Sequence, residues 1–263
     1  SMTEACLQMG RRIYLVPELH DILLQGSGVQ SFQELTTFYV RDLEPTLESR
    51  WIKRLVELLL TVPLLVAVSP LMLVLALRIW FHDRGPVLYR QTRLTRHQQP
   101  FHMYKFRTMI QEAEKESGPV LAREQDHRLL PFGGWMRACR LDELPQLINV
   151  LKGEMSLVGP RPERPEFAAI YLKEIPGYQH RFLVKAGLTG LAQTNGSYRT
   201  AVSEKLRMDL LYLRNQSLLM DLQILANTLK TILRPEKARG LEAAEVPEND
   251  SSGTDYRVSE EEA

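Results

Sequence analysis

Two neighbouring acids, Asp142 and Glu143, stand in the stretch Arg137-Ala-Cys-Arg140-Leu-Asp142-Glu143-Leu-Pro145, flanked by arginines. Pro145 is tolerated only in the first turn of a helix, so the stretch predicts a helix N-terminus at which the Asp142 carboxylate stays ionised. On that ground alone an acid there is more often an N-cap than a catalyst. Other residue types point further. Lys105 and Arg107 lie two apart in a segment that alternates like a strand, which puts both cations on one face, although a solvated strand edge looks the same. Gly159-Pro160-Arg161-Pro162 is a Pro-bracketed turn that fixes one guanidinium, whose planar fork suits phosphate; a rigid surface loop is the plainer alternative. An ionised carboxylate, a second acid and several fixed cations together describe a site for phosphoryl-type chemistry. An anionic substrate approaching a carboxylate nucleophile needs its charge offset by arginines and a divalent cation, and oxygen ligands beside a diphosphate suit Mg2+. The sequence has no Walker loop, GxGxxG or kinase signature set.

The elements that must position these residues are partly legible. Val87 to Arg93 and Phe101 to Thr108 alternate like paired strands, with the turn at Arg96 to Gln99. Leu144, Leu147, Ile148 and Leu151 recur at i, i+3, i+4 and i+7 and predict one amphipathic helix ending at Gly153. Arg164 to Glu174 reads as a helix, and Glu204 to Leu233 as two, interrupted near Asn215; their Leu-rich faces suit a core or the membrane interface. Residues 110–117 are polar and helix-prone. Upstream, Arg12 to Pro17 and Glu34 to Val40 read as short strands, with Gly26-Ser27-Gly28 as a turn. Residues 1–49 are too few for a core of their own and are expected to be the remnant of an upstream domain or a docking arm.

Leu58 to Leu77 is a run of twenty residues without a charge, long enough at ~1.5 Å per residue to cross a bilayer core. Pro63 and Pro70 lie inside it. Pro70 removes the N–H that would bond the Val66 carbonyl, and the hydroxyl of Ser69 can turn back onto a carbonyl so freed. Arg50, Lys53 and Arg54 precede the run, and Arg78, Arg84, Arg90, Arg93 and Arg96 follow it. Basic residues mark the cytoplasmic side, and here both ends are marked. The expectation is a re-entrant helix-break-helix over residues 50–84, broken at Ser69-Pro70; a straight span and a soluble core helix are the alternatives.

The chain has 263 residues, 44% apolar and 25% charged, which excludes wholesale disorder and a multi-span transporter. Its net charge of +1 conceals a split: Glu242 to Ala263 hold eight acids and one base, leaving residues 1–241 with 32 basic against 24 acidic, or +8. The acidic end is expected to be a disordered tail. The basic body suits a phosphate-bearing partner or an anionic membrane lipid. The two cysteines, Cys6 and Cys139, lack metal-ligand spacing, so no disulfide framework or zinc site is expected.

The motifs, in order, resemble the bacterial sugar transferase family, the monotopic polyprenyl-phosphate phosphoglycosyl transferases. The resemblance rests on the apolar run with Ser69-Pro70, on Tyr104-Lys105-Phe106-Arg107-Thr108-Met109, and on Leu141-Asp142-Glu143-Leu144-Pro145-Gln146-Leu147 with Asn149-Val150-Leu151. It continues through Met155-Ser156-Leu157-Val158-Gly159-Pro160-Arg161-Pro162 and Gly187-Leu188-Thr189-Gly190-Leu191-Ala192-Gln193, spanning about residues 50–235. It implies transfer of sugar-1-phosphate from a UDP-sugar to undecaprenyl phosphate, releasing UMP, on the cytoplasmic face of the bacterial inner membrane, as the first membrane step of exopolysaccharide, capsule or O-antigen (lipopolysaccharide) synthesis. Asp142 would be the nucleophile of a covalent phosphosugar intermediate and a Mg2+ ligand, with Glu143 completing the dyad as base, metal ligand or positioning group. Lys105, Arg107, Arg137 and Arg161 would bind phosphate or nucleotide groups. Residues 1–49 resemble the end of the nucleotide-binding-like domain of larger members, of which residues 85–240 would be the catalytic part.

The fold class implied is α+β, a re-entrant membrane helix with a mostly helical cytosolic domain and a small β-hairpin. A homodimer through the Leu-rich faces is compatible with the composition, and no nucleic-acid partner is expected. This sequence departs from the family's pattern in the turn from Leu94 to Gln99, which lacks glycines, at Ala186 in place of proline, and at Leu130-Pro131. The competing functions are a non-catalytic membrane-associated scaffold and a glycosyltransferase that moves the sugar alone and releases UDP.

Overall fold

The computed structural model describes residues 19–24, 27–32, 35–39, 42–110, 128–196 and 200–233. The expectations for residues 12–17 and 111–117, for Cys6 and for the acidic end lie outside the described residues. Near the start, α1 (Leu19–Leu24) is followed by a hairpin of β1 (Gly28–Phe32) and β2 (Leu35–Tyr39). Gly28 opens a strand rather than closing a turn, and Ile22 of α1 is buried in a cluster with Leu206 and Leu210.

The apolar run forms one continuous helix, α2 (Leu47–Asp83), of 37 residues. Thr46 caps its start, its hydroxyl accepting from the Ser49 N–H at 3.3 Å, and Arg84 closes it in the left-handed conformation with φ 55°. The expected interruption at Ser69-Pro70 is not a break in the helix. The Ser69 hydroxyl donates to the Val66 carbonyl at 2.8 Å, the group that Pro70 leaves without its N–H, so the helical path is kept. Leu55, Leu59, Val66, Leu73, Val74 and Phe81 remain exposed, and only 11% of the most apolar window is buried. It is the one helix among the described residues long and apolar enough to cross a membrane.

Both ends of α2 are nevertheless fastened to the same body. After it come β3 (Leu88–Leu94) and β4 (Pro100–Phe106), an antiparallel hairpin in register from Leu88 with Phe106 to Leu94 with Pro100, as the alternation predicts. The turn between them holds His97 at φ 55° and Gln98 at φ 59°, the region where a glycine would be unstrained. The next elements are α3 (Gly133–Ala138), α4 (Gln146–Lys152) and β5 (Ser156–Val158), followed by α5 (Pro165–Glu174), β6 (Gly187–Thr189) and α6 (Leu191–Asn195). Two helices complete the body, α7 (Val202–Arg214) and α8 (Leu218–Leu233), parted at Asn215 as expected.

At the N-terminal end of α2, Lys53 Nζ donates to Asp221 of α8 at 2.8 Å, to the Tyr212 hydroxyl at 2.6 Å and to the Val158 carbonyl at 2.9 Å. Arg54 donates to the Val150 and Leu151 carbonyls at 2.7 and 2.8 Å, joining the last turn of α4 to α2. Glu57 is buried against the Ser156 hydroxyl and the Leu157 N–H. At the far end Arg107 donates to both carboxylate oxygens of Asp83 at 2.5 Å, and Leu75 and Ile79 pack with Phe106, Leu130 and Met136.

The main core joins β4, α4, β5, α7 and α8 through Phe101, Met103, Leu147, Val150, Leu157, Tyr212 and Ile224. Strands β5 and β6 pair in parallel, and a Cβ at Gly187 would collide with the Gly159 backbone, so only glycine allows this approach. The architecture is thus mixed α and β, with three two-stranded sheets among the described residues.

Candidate active site

Asp142 and Glu143 lie in a 3-10 turn, Leu141–Glu143, entered through Arg140 at φ 55° and ψ 21°. The regular helix α4 starts only at Gln146, with Pro145 just before it. The sequence placed Asp142 at the opening of that helix; it sits about one turn earlier, where Leu141 to Pro145 make the bend between α3 and α4. Gly153 ends α4 in the left-handed conformation, as the pattern required.

Asn149, fully buried on α4, ties the bend to the hairpin: its amide accepts from the Tyr104 N–H at 3.0 Å and donates to the His102 carbonyl at 2.7 Å. This side chain completes the free edge of β4 as a neighbouring strand would, and so fixes Lys105 relative to the acids. Lys105 Nζ donates to Glu143 Oε1 at 2.9 Å, and Arg161 Nη2 reaches the same oxygen at 3.1 Å. On the other side, Arg137 Nε donates to Thr108 Oγ1 at 2.9 Å. That contact needs α3 seated closely on Thr108, which a Cβ at Gly133 would prevent.

Five of the sequence-predicted site residues, Asp142, Glu143, Lys105, Arg137 and Arg161, therefore surround one bend. Arg107 is directed elsewhere. Beyond the end of β4 it no longer shares the strand face of Lys105, and its guanidinium is taken up by Asp83 and by the Pro86 carbonyl at 2.7 Å. Ser69 and Pro70 lie in α2. Sequence reasoning passed over Asn149, Thr108 and Arg181, whose partners are distant in the chain; Asn149 lay inside a recognised motif but on an apolar helix face that gave no sign of its contacts.

The two acids are in opposite electrostatic states. Burial by itself would raise the Glu143 pKa, but Arg161 and Lys105, with Arg140 behind them, hold its carboxyl well below the usual carboxylate range. Burial pushes the Asp142 carboxyl up; Lys105 and Arg137 pull it back, and the neighbouring Glu143 charge adds to the rise. The net direction for Asp142 is upward: set a turn ahead of α4, it does not have the lowered value that a helix N-terminus would give it. Neighbouring carboxyls pushed apart in this way are suited to different roles. Glu143 is a negative charge bound to two cations, and Asp142 is a buried, poorly solvated carboxyl group.

Among the described residues no three His, Cys, Asp or Glu side chains gather as a self-sufficient metal cage. Mg2+ needs no such cage: it commonly takes one or two carboxylates and completes its shell with water and substrate phosphate oxygens. The adjacent hard-oxygen donors Asp142 and Glu143 suit that mode.

The structure thus joins a long, largely exposed apolar helix to a small mixed α and β body that carries an acid pair set among lysine and arginine side chains. Residues 48–235 match the model of the bacterial sugar transferase family, and the chain belongs to that family. It is 36% identical over 230 residues to the UDP-N-acetylgalactosamine-undecaprenyl-phosphate N-acetylgalactosaminephosphotransferase of Aeromonas hydrophila, covering 86% of this chain and 53% of that one. It is 38% identical to the UDP-glucose:undecaprenyl-phosphate glucose-1-phosphate transferase of Caulobacter vibrioides over 71% of each chain. With the undecaprenyl-phosphate galactose phosphotransferase of Salmonella typhimurium it shares 31% identity over 87% of this chain and 50% of the relative. The chain thus spans about half the length of several of these relatives.

Proposed function

We propose that this chain transfers sugar-1-phosphate from a UDP-sugar to undecaprenyl phosphate, releasing UMP, at the cytoplasmic face of the bacterial inner membrane. The observation that carries the reading is the Asp142–Glu143 bend with Lys105 and Arg161 on one carboxylate and Arg137 beside the other. Relatives named for three different sugars match at similar identity, so the hexose is left unassigned while the lipid acceptor is common to their names.

In the proposed reaction a carboxylate oxygen of Asp142 attacks the sugar-bearing phosphorus of the donor. The P–O bond to the uridine-bearing phosphate breaks, UMP leaves with that electron pair, and an acyl-phosphate joins Asp142 to the sugar phosphate. A phosphate oxygen of undecaprenyl phosphate then attacks the same phosphorus, and Asp142 leaves as a carboxylate. Lys105 and Arg161 balance charge on the approaching diphosphate, Arg137 on the side of Thr108, and Glu143 keeps the two cations in place. Asp142, with Glu143 beside it, would hold Mg2+, whose chemistry is to neutralise diphosphate charge.

The membrane arrangement proposed is re-entrant. Lys53, Arg54 and Asp83 bind the same body, which supports both ends of α2 lying on one side of the bilayer, with the unbroken helix kinked at Pro70 so that the Ser69-Pro70 region is its deepest part. A straight passage of ~30 Å of hydrocarbon would separate those ends and tear out a buried ion pair at a cost of about 3–5 kcal/mol. Anionic lipid suits the arginines flanking the run, and the product would begin a surface glycan.

Incubating the membrane-embedded protein with UDP-sugars, undecaprenyl phosphate and Mg2+ and identifying the nucleotide decides the reading. UMP is expected; UDP would assign a simple glycosyltransferase, and no nucleotide from any donor a scaffold. Labelled sugar phosphate is expected on the protein when the lipid acceptor is left out.

A further inference from the structure

Arg161 reaches Glu143 from a turn whose backbone is held at four successive carbonyls. Gly187 N–H donates to the Pro160 carbonyl at 2.8 Å, Arg181 Nη2 to that of Arg161 at 2.9 Å, Arg93 Nη1 to that of Pro162 at 3.1 Å and Leu94 N–H to that of Glu163 at 2.9 Å. The contact on Arg161 itself comes from a buried cation. Arg181 is 7% exposed and lies in the 3-10 segment Tyr178–Leu183 that precedes β6. Its guanidinium pairs with Asp209 of α7 at 3.0 Å, donates to the Tyr178 hydroxyl at 2.5 Å and lies 5.0 Å from the centre of that ring. Asp209 is 3% exposed. A buried ion pair is a weak source of stability, since desolvation consumes most of the attraction. Its value here is geometric: a planar fork with three fixed acceptors has one orientation.

We propose that Arg181, oriented by Asp209 and Tyr178, is a positioning residue for the active site, which sets the Arg161 backbone so that its guanidinium meets Glu143 and the substrate phosphates. Pro160 and Pro162 restrict the turn on either side, and a residue before proline is confined to extended backbone, so a shift of the Arg161 carbonyl passes directly to its side chain. Arg161 and Lys105 share one oxygen of Glu143, so losing the Arg161 contact removes one of the two charge-assisted hydrogen bonds on that carboxylate. The groups facing Glu143 are Lys105 from β4, Arg161 from this turn, and Arg140 and Asp142 from its own bend.

The test is a double-mutant cycle with a readout that general damage would not move. Arg181→Lys keeps the charge beside Asp209 but loses the planar fork, and Asp209→Asn keeps the shape and removes the charge. Each is made alone and in an Arg161→Ala background. The expected single-mutant effect is a ~10- to 100-fold loss of kcat/KM, the scale of a small misplacement of a substrate-binding group. In the Arg161→Ala background the same changes should cost less than about twofold, because residues that act through one another are not additive. Equal losses in both backgrounds overturn the proposal. Its kinetic arm rests on the reaction proposed above, so the Arg161 guanidinium is also observed without substrate, as the nitrogen NMR signal that Arg161→Ala removes. Both variants should shift and broaden that signal as the Arg161 backbone is released; a signal left in place overturns the positioning role. A wild-type protein that releases no UMP would refute the reaction and leave this arm to decide the positioning. If Arg181→Lys fails to fold, Asp209→Asn and Tyr178→Phe carry both measurements.

Discussion

Replacing Lys105 with methionine keeps most of the side-chain volume and removes one of the two cations on Glu143. The pair is 2.9 Å apart with side-chain exposures of 19% and 13%, and Arg161, 49% exposed, lies 3.1 Å from the same oxygen. At an effective dielectric of about 20, unit charges near 3 Å attract by ~5–6 kcal/mol, most of which desolvation returns. Removing one partner of a buried pair costs about 3–5 kcal/mol; the remaining arginine argues for the lower end, ~3 kcal/mol, or a fall of roughly 5–10 °C in Tm. Lys105 lowers the pKa of both acids, so Asp142 and Glu143 should each titrate at higher pH in Lys105→Met. In the proposed reaction a protonated Asp142 cannot attack. The acid limb of kcat/KM should therefore move to higher pH, and the rate near neutrality should fall by ~100-fold, the equivalent of one strong charge-assisted hydrogen bond. The assay is UMP release against pH with Tm measured in parallel, and Lys105→Arg should restore part of the rate. Activity within threefold of the wild type, with the acid limb in its original place, would refute the reasoning.

Three further outcomes follow from the geometry. Asp142→Asn should abolish turnover by at least ~10^4-fold without lowering Tm. The folded-state pKa of Asp142 is raised, so its ionisation costs stability as pH rises through that value, and the amide should gain most in Tm at alkaline pH and least in acid. Single cysteines at Glu48 and Arg84 should both be labelled from the cytoplasmic side, since both neighbour tethers to one body; labelling from opposite sides would sink the re-entrant arrangement. Asp83→Asn should lower Tm by loosening the clasp with Arg107, an expected loss of about 1–3 kcal/mol, and leave KM for the UDP-sugar unchanged. A tenfold rise in that KM would place Arg107 at the substrate.

Local chemistry was legible wherever a residue's role depends on its near neighbours. Thus β3 and β4 follow from alternation, Gly153 from the need for a left-handed helix end, and the parting of α7 from α8 at Asn215 from a lapse in the apolar period. The hydroxyl of Ser69 on the Val66 carbonyl also follows from the position of Pro70, but the break expected there does not. Satisfying that carbonyl allows the helix to continue, so no break in it was required. The acids were found by type and adjacency, while their opposed titration was not, because burial and the approach of Lys105 and Arg161 are properties of the assembled bend.

Sequence by itself determined the long apolar helix, the hairpin, the acid pair and the cations able to serve it, since each is written in the spacing of residues a few places apart. Only the tertiary structure decided which cation meets which acid. Arg107 stands two residues from Lys105, yet it binds Asp83 at the end of α2 while Lys105 binds Glu143. Lys53 and Asp221 meet across 168 residues, Arg181 and Arg161 across 20. Side-chain charge has no period and no direction along the chain; its partner is set by where packing of the apolar faces brings distant elements together.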